Sequence, residues 1–323
     1  MTAFHYTRTD SNDVNDHAAS LSGWDQQYEQ MSPGCFEGRL EDLRLGPMQV
    51  FRESTQRSVL QRGAPGPRTL TLATPVGGPN AGWFCGRRID AQQAFGLVSG
   101  GEFELATHGA FDIVAVGVDR EFLERYSQRV DGIRFVDALQ RNDVVEGSAD
   151  ANATLRELLL AALCTARESP RLLQQDPLRR ALVNSLCDAL IARLGHPSPA
   201  LASAETTAAT RQRVVREARR YMREHAEAPI NVPDLCQAIH VSRRTLQYSF
   251  QDVLQMSPVT YLRALRLNGV RRDLKRGGDE PVADRAARWG FWHLSRFAAD
   301  YRHLFGELPS QTLRHARGLV TAH

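Results

Sequence analysis

The sequence predicts an α+β protein of two domains, a small antiparallel β-barrel with helices followed by an all-helical domain. The chain has 323 residues, enough to build two separate hydrophobic cores. Short β-prone runs fill residues 48–118, whereas helical periodicity dominates after residue 155. Charge divides the chain as well. Residues 211–323 hold 20 Lys and Arg against 11 Asp and Glu, whereas residues 1–210 hold 20 against 26.

Short strands are predicted between Met48 and Val118. The runs MQVFRE, TLTLAT, EFELAT and FDIVAVGV are rich in β-formers and are separated by the turn signals PGP, GGPN and GG. Several short strands in about 70 residues are typical of a small antiparallel barrel or sandwich. We therefore expect a cupin-like β-barrel in the first domain.

Two amphipathic helices and a linker complete the first domain. Leu155–Ala166 and Leu178–Leu194 carry apolar residues at three- and four-residue spacing. The stretch GHPSPALASAETTAAT that follows is small and proline-punctuated, and it has one charged residue. The predicted organisation is a domain over residues 1–195, a linker over 196–210 and a second domain over 211–323.

A helix-turn-helix is predicted near the start of the second domain. A helix around Arg213–Ala226 leads to a short helix with Pro233 in its first turn, where a missing N–H costs nothing. His240 occupies the turn, and histidine tolerates a left-handed backbone better than most residues. Ser242 then caps a second short helix. Two short helices joined by a tight turn are the frame of a helix-turn-helix.

The same unit occurs a second time. A long helix from Pro258 to Lys275 spans about 27 Å at 1.5 Å per residue. Another short helix, a turn at Gly290 and a third helix follow it. The second helices of the two units are predicted to start at Arg243 and His293. Two such helices on a rigid spacer could approach successive major grooves, which recur about every 34–36 Å.

Helical projection gives each of these second helices an apolar and a polar side. The apolar side of the first holds Leu246, Phe250, Val253 and Leu254. The apolar side of the second holds Leu294, Phe297, Ala298, Tyr301, Leu304 and Phe305. The polar sides are the candidate DNA-binding surface: Arg243, Arg244, Gln247, Tyr248, Gln251, His293, Ser295, Arg296 and Ala299.

The residue types on these polar sides fit base and phosphate contact. Arginine pairs with guanine and glutamine with adenine, and tyrosine can bond a phosphate or pack on a thymine methyl group. Arg302 and His303 lie further along the second helix, where backbone or solvent contact is expected. Arg271, Arg272, Lys275 and Arg276 end the long helix, and either phosphate contact or a capping role fits them.

These stretches resemble a known family. The pattern VSRRTL, followed by SPVTYLRALRL and then by GFWHLSRFAADYRHLFGELPS, is similar to the AraC/XylS-type DNA-binding domain. The resemblance covers Arg213 to about Arg317 and includes both helix-turn-helix units in order. DLCQAIHVSRRTLQ, RLNGVRRDL and GFWHLSRFAADYRHLF are similar, more narrowly, to the ethanolamine-utilisation regulators, as are PGCFEGRL, QVFRE and GGEFELAT in the first domain.

The resemblance implies a transcriptional activator of a small catabolic operon, with a first domain that senses ethanolamine. In some members adenosylcobalamin is a co-effector. Promoter DNA and RNA polymerase are the implied partners, and a homodimer is left open. Two positions depart from the family. Ala299 lies where many members carry arginine, which predicts fewer base contacts, and Trp292 replaces the usual small N-cap residue.

Candidate effector residues were sought among aromatic and acidic side chains of the first domain, because these hold an ammonium ion by cation–π contact and ion pairing. They are Trp24, Tyr28, Trp83, Phe84, Phe103, Glu102 and Glu104. Alternation in EFEL places both glutamates on the face opposite Phe103. If Phe103 faces the core, the glutamates face solvent.

Other classes of function remain as alternatives. A cupin-type metal enzyme needs clustered histidines, but His5, His17, His108 and His196 are widely spaced. A zinc-holding DNA-repair protein needs a cysteine cluster, and the five cysteines are scattered, as expected of reduced cytoplasmic thiols. No secretory signal or membrane span is evident. An AraC-type regulator of a different metabolite, or an architectural DNA binder without an effector, also fits.

Overall fold

The structure, a computed structural model, describes residues 4–77, 82–89, 93–97, 101–130, 143–145, 149–194 and 205–318. The chain divides into two compact units. The first comprises Met1–Tyr28 and Glu37–Leu201, and the second comprises Glu29–Phe36 and Ala202–His323. No helix among the described residues has the length and apolar character needed to cross a membrane.

Twelve strands lie in the described part of the chain, in two antiparallel sheets. They are β1 Phe4–Ser11, β2 Asp25–Gln30, β3 Gly38–Leu45, β4 Met48–Thr55, β5 Val59–Ala64, β6 Thr69–Pro75, β7 Gly82–Phe84, β8 Arg87–Ile89, β9 Ala94–Leu97, β10 Phe103–Thr107, β11 Phe111–Asp119 and β12 Asp143–Val145. The seven-stranded sheet has the order β1-β3-β4-β11-β6-β9-β12, and the five-stranded sheet has the order β2-β5-β10-β7-β8.

The helices of the described residues, in chain order, alternate with these strands and then follow them. They are α1 Val14–Ser20, α2 Arg120–Val130, α3 Ala149–Glu168, α4 Pro170–Gln174, α5 Asp176–Leu194, α6 Glu205–Glu224, α7 Val232–Ala238, α8 Arg243–Leu254, α9 Pro258–Lys275, α10 Val282–Arg288, α11 Leu294–Phe305 and α12 Pro309–Ala316. The predicted long helix has the predicted bounds.

The predicted closed barrel was wrong, because the described strands form two separate sheets. The seven-stranded sheet is apolar on both faces at β4 and β11. Phe51 and Ile113 pack toward Phe103 of the five-stranded sheet. Val50 and Val116 belong to a second core with the buried side chains of α3 and α5. A sheet covered by another sheet on one face and by helices on the other needs no closure to bury its apolar side chains.

The first three strands precede the region in which the sequence predicted strands. Their residues are largely polar, and cross-strand charge pairs compensate for the low β propensity. Arg8 lies opposite Glu41, and Asp10 lies opposite Arg39 with 2.6 Å between the Arg39 Nε and the carboxylate. Opposite charges across a strand pair stabilise the pairing. That register is a tertiary property that the local pattern does not show.

Helix α6 begins inside the predicted linker over residues 196–210. Residues 205–210 form the first turns of α6, while residues 196–204 lie outside the described residues. Ala208 and Ala209 have the highest helix propensity, and no proline follows Pro199 before the helix. Helix α6 therefore begins at Glu205, before the amphipathic segment around Arg213–Ala226 that the sequence predicted.

Helix α9 has 18 residues and contributes many buried side chains to the core of the second unit. The side chains of Leu267, Val270 and Leu274 on α9 pack with Phe297 and Tyr301 on α11. Residues 29–36 belong to the same unit. The buried Asn268 side chain accepts a hydrogen bond from the Gln30 backbone N–H at 3.0 Å and donates one to the Gln30 carbonyl at 2.9 Å.

Candidate nucleic-acid interface

The first helix-turn-helix comprises α7 and α8. Asn231 and Asp234 form a reciprocal capping box at the start of α7, with Pro233 in the first turn. His240 has a φ of 54°, the left-handed conformation that the sequence predicted for this turn. The Ser242 hydroxyl accepts a hydrogen bond from the Thr245 N–H at 3.0 Å and caps α8. Sequence-local chemistry thus fixes both the turn and the start of the second helix.

The two sides of α8 differ as predicted. Leu246, Phe250 and Val253 are buried in the second unit. The opposite side of α8 faces an open cleft whose volume, open solvent included, is about 1010 Å³. Besides Ser257, this concave surface is lined by the exposed polar residues of this side: Arg243, Arg244, Gln247, Tyr248 and Gln251.

Arg244 and Tyr248 form a pair on this concave surface. The Arg244 guanidinium lies 5.3 Å from the centre of the Tyr248 ring, which is 57% exposed. The contact orients a planar group that can donate two parallel hydrogen bonds. Guanidinium, amide and phenol groups on one accessible helix face can recognise base edges and phosphate oxygens.

The second helix-turn-helix comprises α10 and α11. Gly290 takes the left-handed conformation at the turn, with a φ of 81°. Trp289 precedes it, and its indole Nε1 donates to Asp273 of α9 at 2.7 Å. Arg263 of α9 and Asp300 of α11 form an ion pair at 2.7 Å. The long helix α9 therefore fixes the positions of both the turn and α11. We call α8 and α11, the second helices of the two units, the reading helices.

The exposed side of α11 includes His293, Ser295, Arg296 and Ala299, all four predicted as DNA-contacting residues. Two predictions at the start of this helix were wrong. The N-cap is His293, which makes no side-chain capping hydrogen bond, rather than Trp292. Leu294 was placed on the buried side but is 47% exposed. Leu294 is the first residue of the helix and lies before Phe297, the first side chain that reaches the core.

The basic cluster at the end of α9 divides into core and surface residues. Arg271 is buried, forms an ion pair with Glu307 at 2.9 Å and lies 4.6 Å from the centre of the Phe305 ring. Arg272 is mostly buried against the Trp289 ring. Of the two roles that the sequence left open for Arg271, phosphate contact is therefore excluded by its burial. The side chain of Arg276 is 76% exposed.

The candidate effector residues of the first unit lie in different places. Trp24 packs edge-on against Phe51 and Phe103 in the core between the sheets. Tyr28 is buried beside His17. Phe84 and Phe103 are core residues. Glu102 is exposed, and Glu104 and Trp83 are half-buried.

The glutamates and Trp83 lie on strand positions that alternate with inward-facing neighbours. Phe103, Leu105 and Phe84 face the core, so Glu104 and Trp83 belong to the outer face of the five-stranded sheet. Trp24 and Tyr28 face inward instead. The fold therefore does not bring the whole predicted set to one place.

A buried polar group near Tyr28 was missed by the sequence reasoning. His17 Nε2 lies 2.9 Å from Glu53 Oε1, and the Gln61 amide donates to Glu53 Oε2 at 3.1 Å. Burial and the nearby Glu53 carboxylate raise the pKa of Tyr28 well above its ordinary value. These residues come from α1, β2, β4 and β5, so no local motif indicates their proximity.

Two helix-turn-helix units in series, each with an exposed second helix, define a DNA-binding domain. A family model described as a helix-turn-helix domain matches residues 235–315. Among the described residues, no group of three or more His, Cys, Asp or Glu side chains is placed to hold a metal ion.

Curated relatives match about a third of the chain. The "Probable thc operon regulatory protein" of Rhodococcus erythropolis is 38% identical over 125 residues, which are 38% of this chain and 35% of the relative. The "XylDLEGF operon transcriptional activator" of Pseudomonas putida is 32% identical over 99 residues, 30% of this chain and 31% of the relative. The alignments thus span about a third of each relative.

Among solved structures, the AraC-like transcriptional activator CuxR is similar over 81% of this chain and 94% of its own, with 14% identity and a TM-score of 0.44. The duplicated helix-turn-helix and the matching family model define the second unit as a helix-turn-helix DNA-binding domain. About a third of the chain is similar to operon regulators.

Proposed function

We propose that this protein is a sequence-specific transcriptional activator of a small catabolic operon. The main support for this proposal is the exposed, concave surface of α8, on which Arg243, Arg244 and Gln247 point away from the core. The net charge of +9 over residues 211–323 favours a polyanionic partner. Operon regulators among the relatives support the same role.

DNA binding is tested with the full chain on duplexes that it selects from a random pool. Affinity should fall steeply with salt, because phosphate contacts release counterions. Arg244→Ala should weaken binding to the selected duplex by about 1–3 kcal/mol and relax the base preference at one position, since a bidentate contact to a base is lost.

Arg125→Ala is the matched control for this test. Arg125 is an exposed arginine of α2 in the first unit, paired with Glu121 at 3.7 Å. It should leave the affinity for DNA unchanged. Failure to select any duplex would reject the proposal, as would equal losses for Arg244→Ala on selected and random DNA.

We propose ethanolamine as the effector, on the resemblance to ethanolamine-utilisation regulators. A small ammonium ion needs a carboxylate or an aromatic face, and its attraction to either is stronger where water is excluded. Tyr28 beside the buried Glu53 offers both groups within the first unit. Adenosylcobalamin is the proposed co-effector, and RNA polymerase is the proposed partner at the promoter.

Isothermal titration of the full chain with ethanolamine, with and without adenosylcobalamin, tests this assignment. Binding at micromolar to millimolar strength, about 4–8 kcal/mol, is expected. Glu53→Gln, which removes the carboxylate charge, should weaken it, whereas Glu104→Gln on the outer face should not. Heat from another metabolite, with ethanolamine silent under both conditions, would reject ethanolamine and leave the DNA-binding proposal intact.

A further inference from the structure

An exposed apolar run begins the second reading helix. Trp292 is 77% exposed and Leu294 is 47% exposed, the two most exposed of the large apolar side chains around α11. Phe291 on one side of the run and Phe297 on the other pack into the core of the unit. The side chain of Trp292 therefore gains little from the core, and Leu294 is covered over only about half of its surface. Leaving an indole in water forgoes a large burial energy.

Comparison of the two helix-turn-helix units shows which residues of the first unit correspond to those at the start of α11. Helices α8 and α11 both have 12 residues, and in both the fourth residue is the first core side chain, Leu246 and Phe297. In this register Leu294 takes the place of Arg243. Ala298 takes the place of Gln247, and Ala299 takes the place of Tyr248.

The exposed face of α11 is therefore poorer in hydrogen-bonding groups than that of α8. Ser295 and Arg296 remain as polar groups near its start, next to His293. A base edge facing the start of this helix meets the apolar side chains of Trp292 and Leu294 beside these polar groups, and Arg302 takes the place of Gln251 further along. The C5-methyl group of thymine is the apolar feature of the major groove, and apolar side chains recognise it.

We propose that the two reading helices recognise DNA by different chemistry: α8 by hydrogen bonds, and α11 by packing Trp292 and Leu294 on thymine methyl groups. The inference rests on the proposed DNA-binding function. DNA is favoured over a protein partner because Leu294 takes the place of Arg243 in the first unit, and Trp292 lies two residues before it. Arg296 beside the run also complements phosphate charge.

The test removes the methyl groups without changing any hydrogen bond. In the duplex that the full chain selects, each thymine is replaced in turn by uracil. The wild-type chain should lose affinity at thymines under α11, by about fourfold for each methyl group that it buries. The double variant Trp292→Ala/Leu294→Ala should bind the thymine duplex more weakly and show no further loss at those positions.

Leu178→Ala is the matched control, since Leu178 in the first unit is 45% exposed, close to the value for Leu294. It should behave as wild type with every duplex. Thermal unfolding of the double variant should match wild type, as both side chains are exposed. Uracil duplexes that bind as tightly as the thymine duplex would overturn the inference.

Retained DNA affinity in the double variant, with transcriptional activation lost, would overturn it too and would point to a protein partner for the run. These outcomes are separable from failure of the proposed function. In that case no duplex is selected and Arg244→Ala has no effect, whereas failure of this inference leaves the Arg244→Ala loss in place.

Discussion

Gly269 shows how a single residue positions the second helix-turn-helix. It lies within α9, where glycine is less favourable than alanine by about 1 kcal/mol. A Cβ at this position would lie 2.4 Å from the ring of Trp289. The missing side chain makes room for the indole, which bonds Asp273 and ends α10 just before the turn at Gly290.

We predict that Gly269→Ala lowers the free energy of unfolding by about 1–3 kcal/mol, because the indole must move from a packed site. Urea denaturation measures the change. In a Trp289→Ala background the same substitution should be neutral or stabilising by up to about 1 kcal/mol, since only helix propensity remains. Losses that simply add in the double variant would mean that the two residues are not coupled.

Arginines show the limit of interpreting single residues from sequence. Arg285 is buried and donates to the backbone carbonyls of Asp273, Gly277 and Gly278, where it satisfies the C-terminal end of α9. Arg271 is buried against Phe305, whereas Arg244 is exposed on the reading face. All three carry the same charge in the sequence. Only their surroundings distinguish the two buried arginines, which support the fold, from the exposed one.

At the scale of elements, the two reading helices start differently. The Ser242 side chain satisfies an N–H of the first turn of α8, whereas the side chain of His293 makes no capping hydrogen bond to α11. A backbone N–H in the first turn of α11 thus lacks a side-chain acceptor and can donate to a DNA phosphate or to water. Local capping stabilises α8 in a way that α11 lacks.

Substitutions at the two caps should therefore have unequal effects. Ser242→Ala should lower stability by about 1 kcal/mol, and His293→Ala should leave it nearly unchanged. His293→Ser should raise it by up to about 1 kcal/mol by supplying the missing acceptor. Thermal unfolding without DNA checks all three. Comparable losses for both alanine variants would show that His293 supports the helix in another way.

At the scale of the whole molecule, the change from acidic to basic composition along the sequence does not coincide with the division of the chain into two compact units. The basic residues concentrate after residue 210, as the composition indicates. The unit that contains them also includes residues 29–36, which are far away in sequence. The hydrogen bonds between Asn268 and the Gln30 backbone are buried, so this segment is an integral part of the unit.

The sequence alone determined the features that depend on neighbouring residues. It predicted the bounds of α9, the cap at Ser242, the left-handed turn at His240 and the polar face of α8. Each of these follows from propensity, capping or 3.6-residue periodicity, which act over a few residues. The family resemblance of the second domain has the same local origin, because its motifs are contiguous.

Only the tertiary structure decided the features that depend on distant residues. The register of β1 against β3 pairs residues about 30 positions apart, and the division of the strands into two sheets depends on pairings that are equally distant in sequence. Burial of Arg271, the exposure of Leu294 and the meeting of His17, Glu53 and Tyr28 depend on which elements pack together. Packing is a property of the whole fold, so helical or strand periodicity does not reveal it.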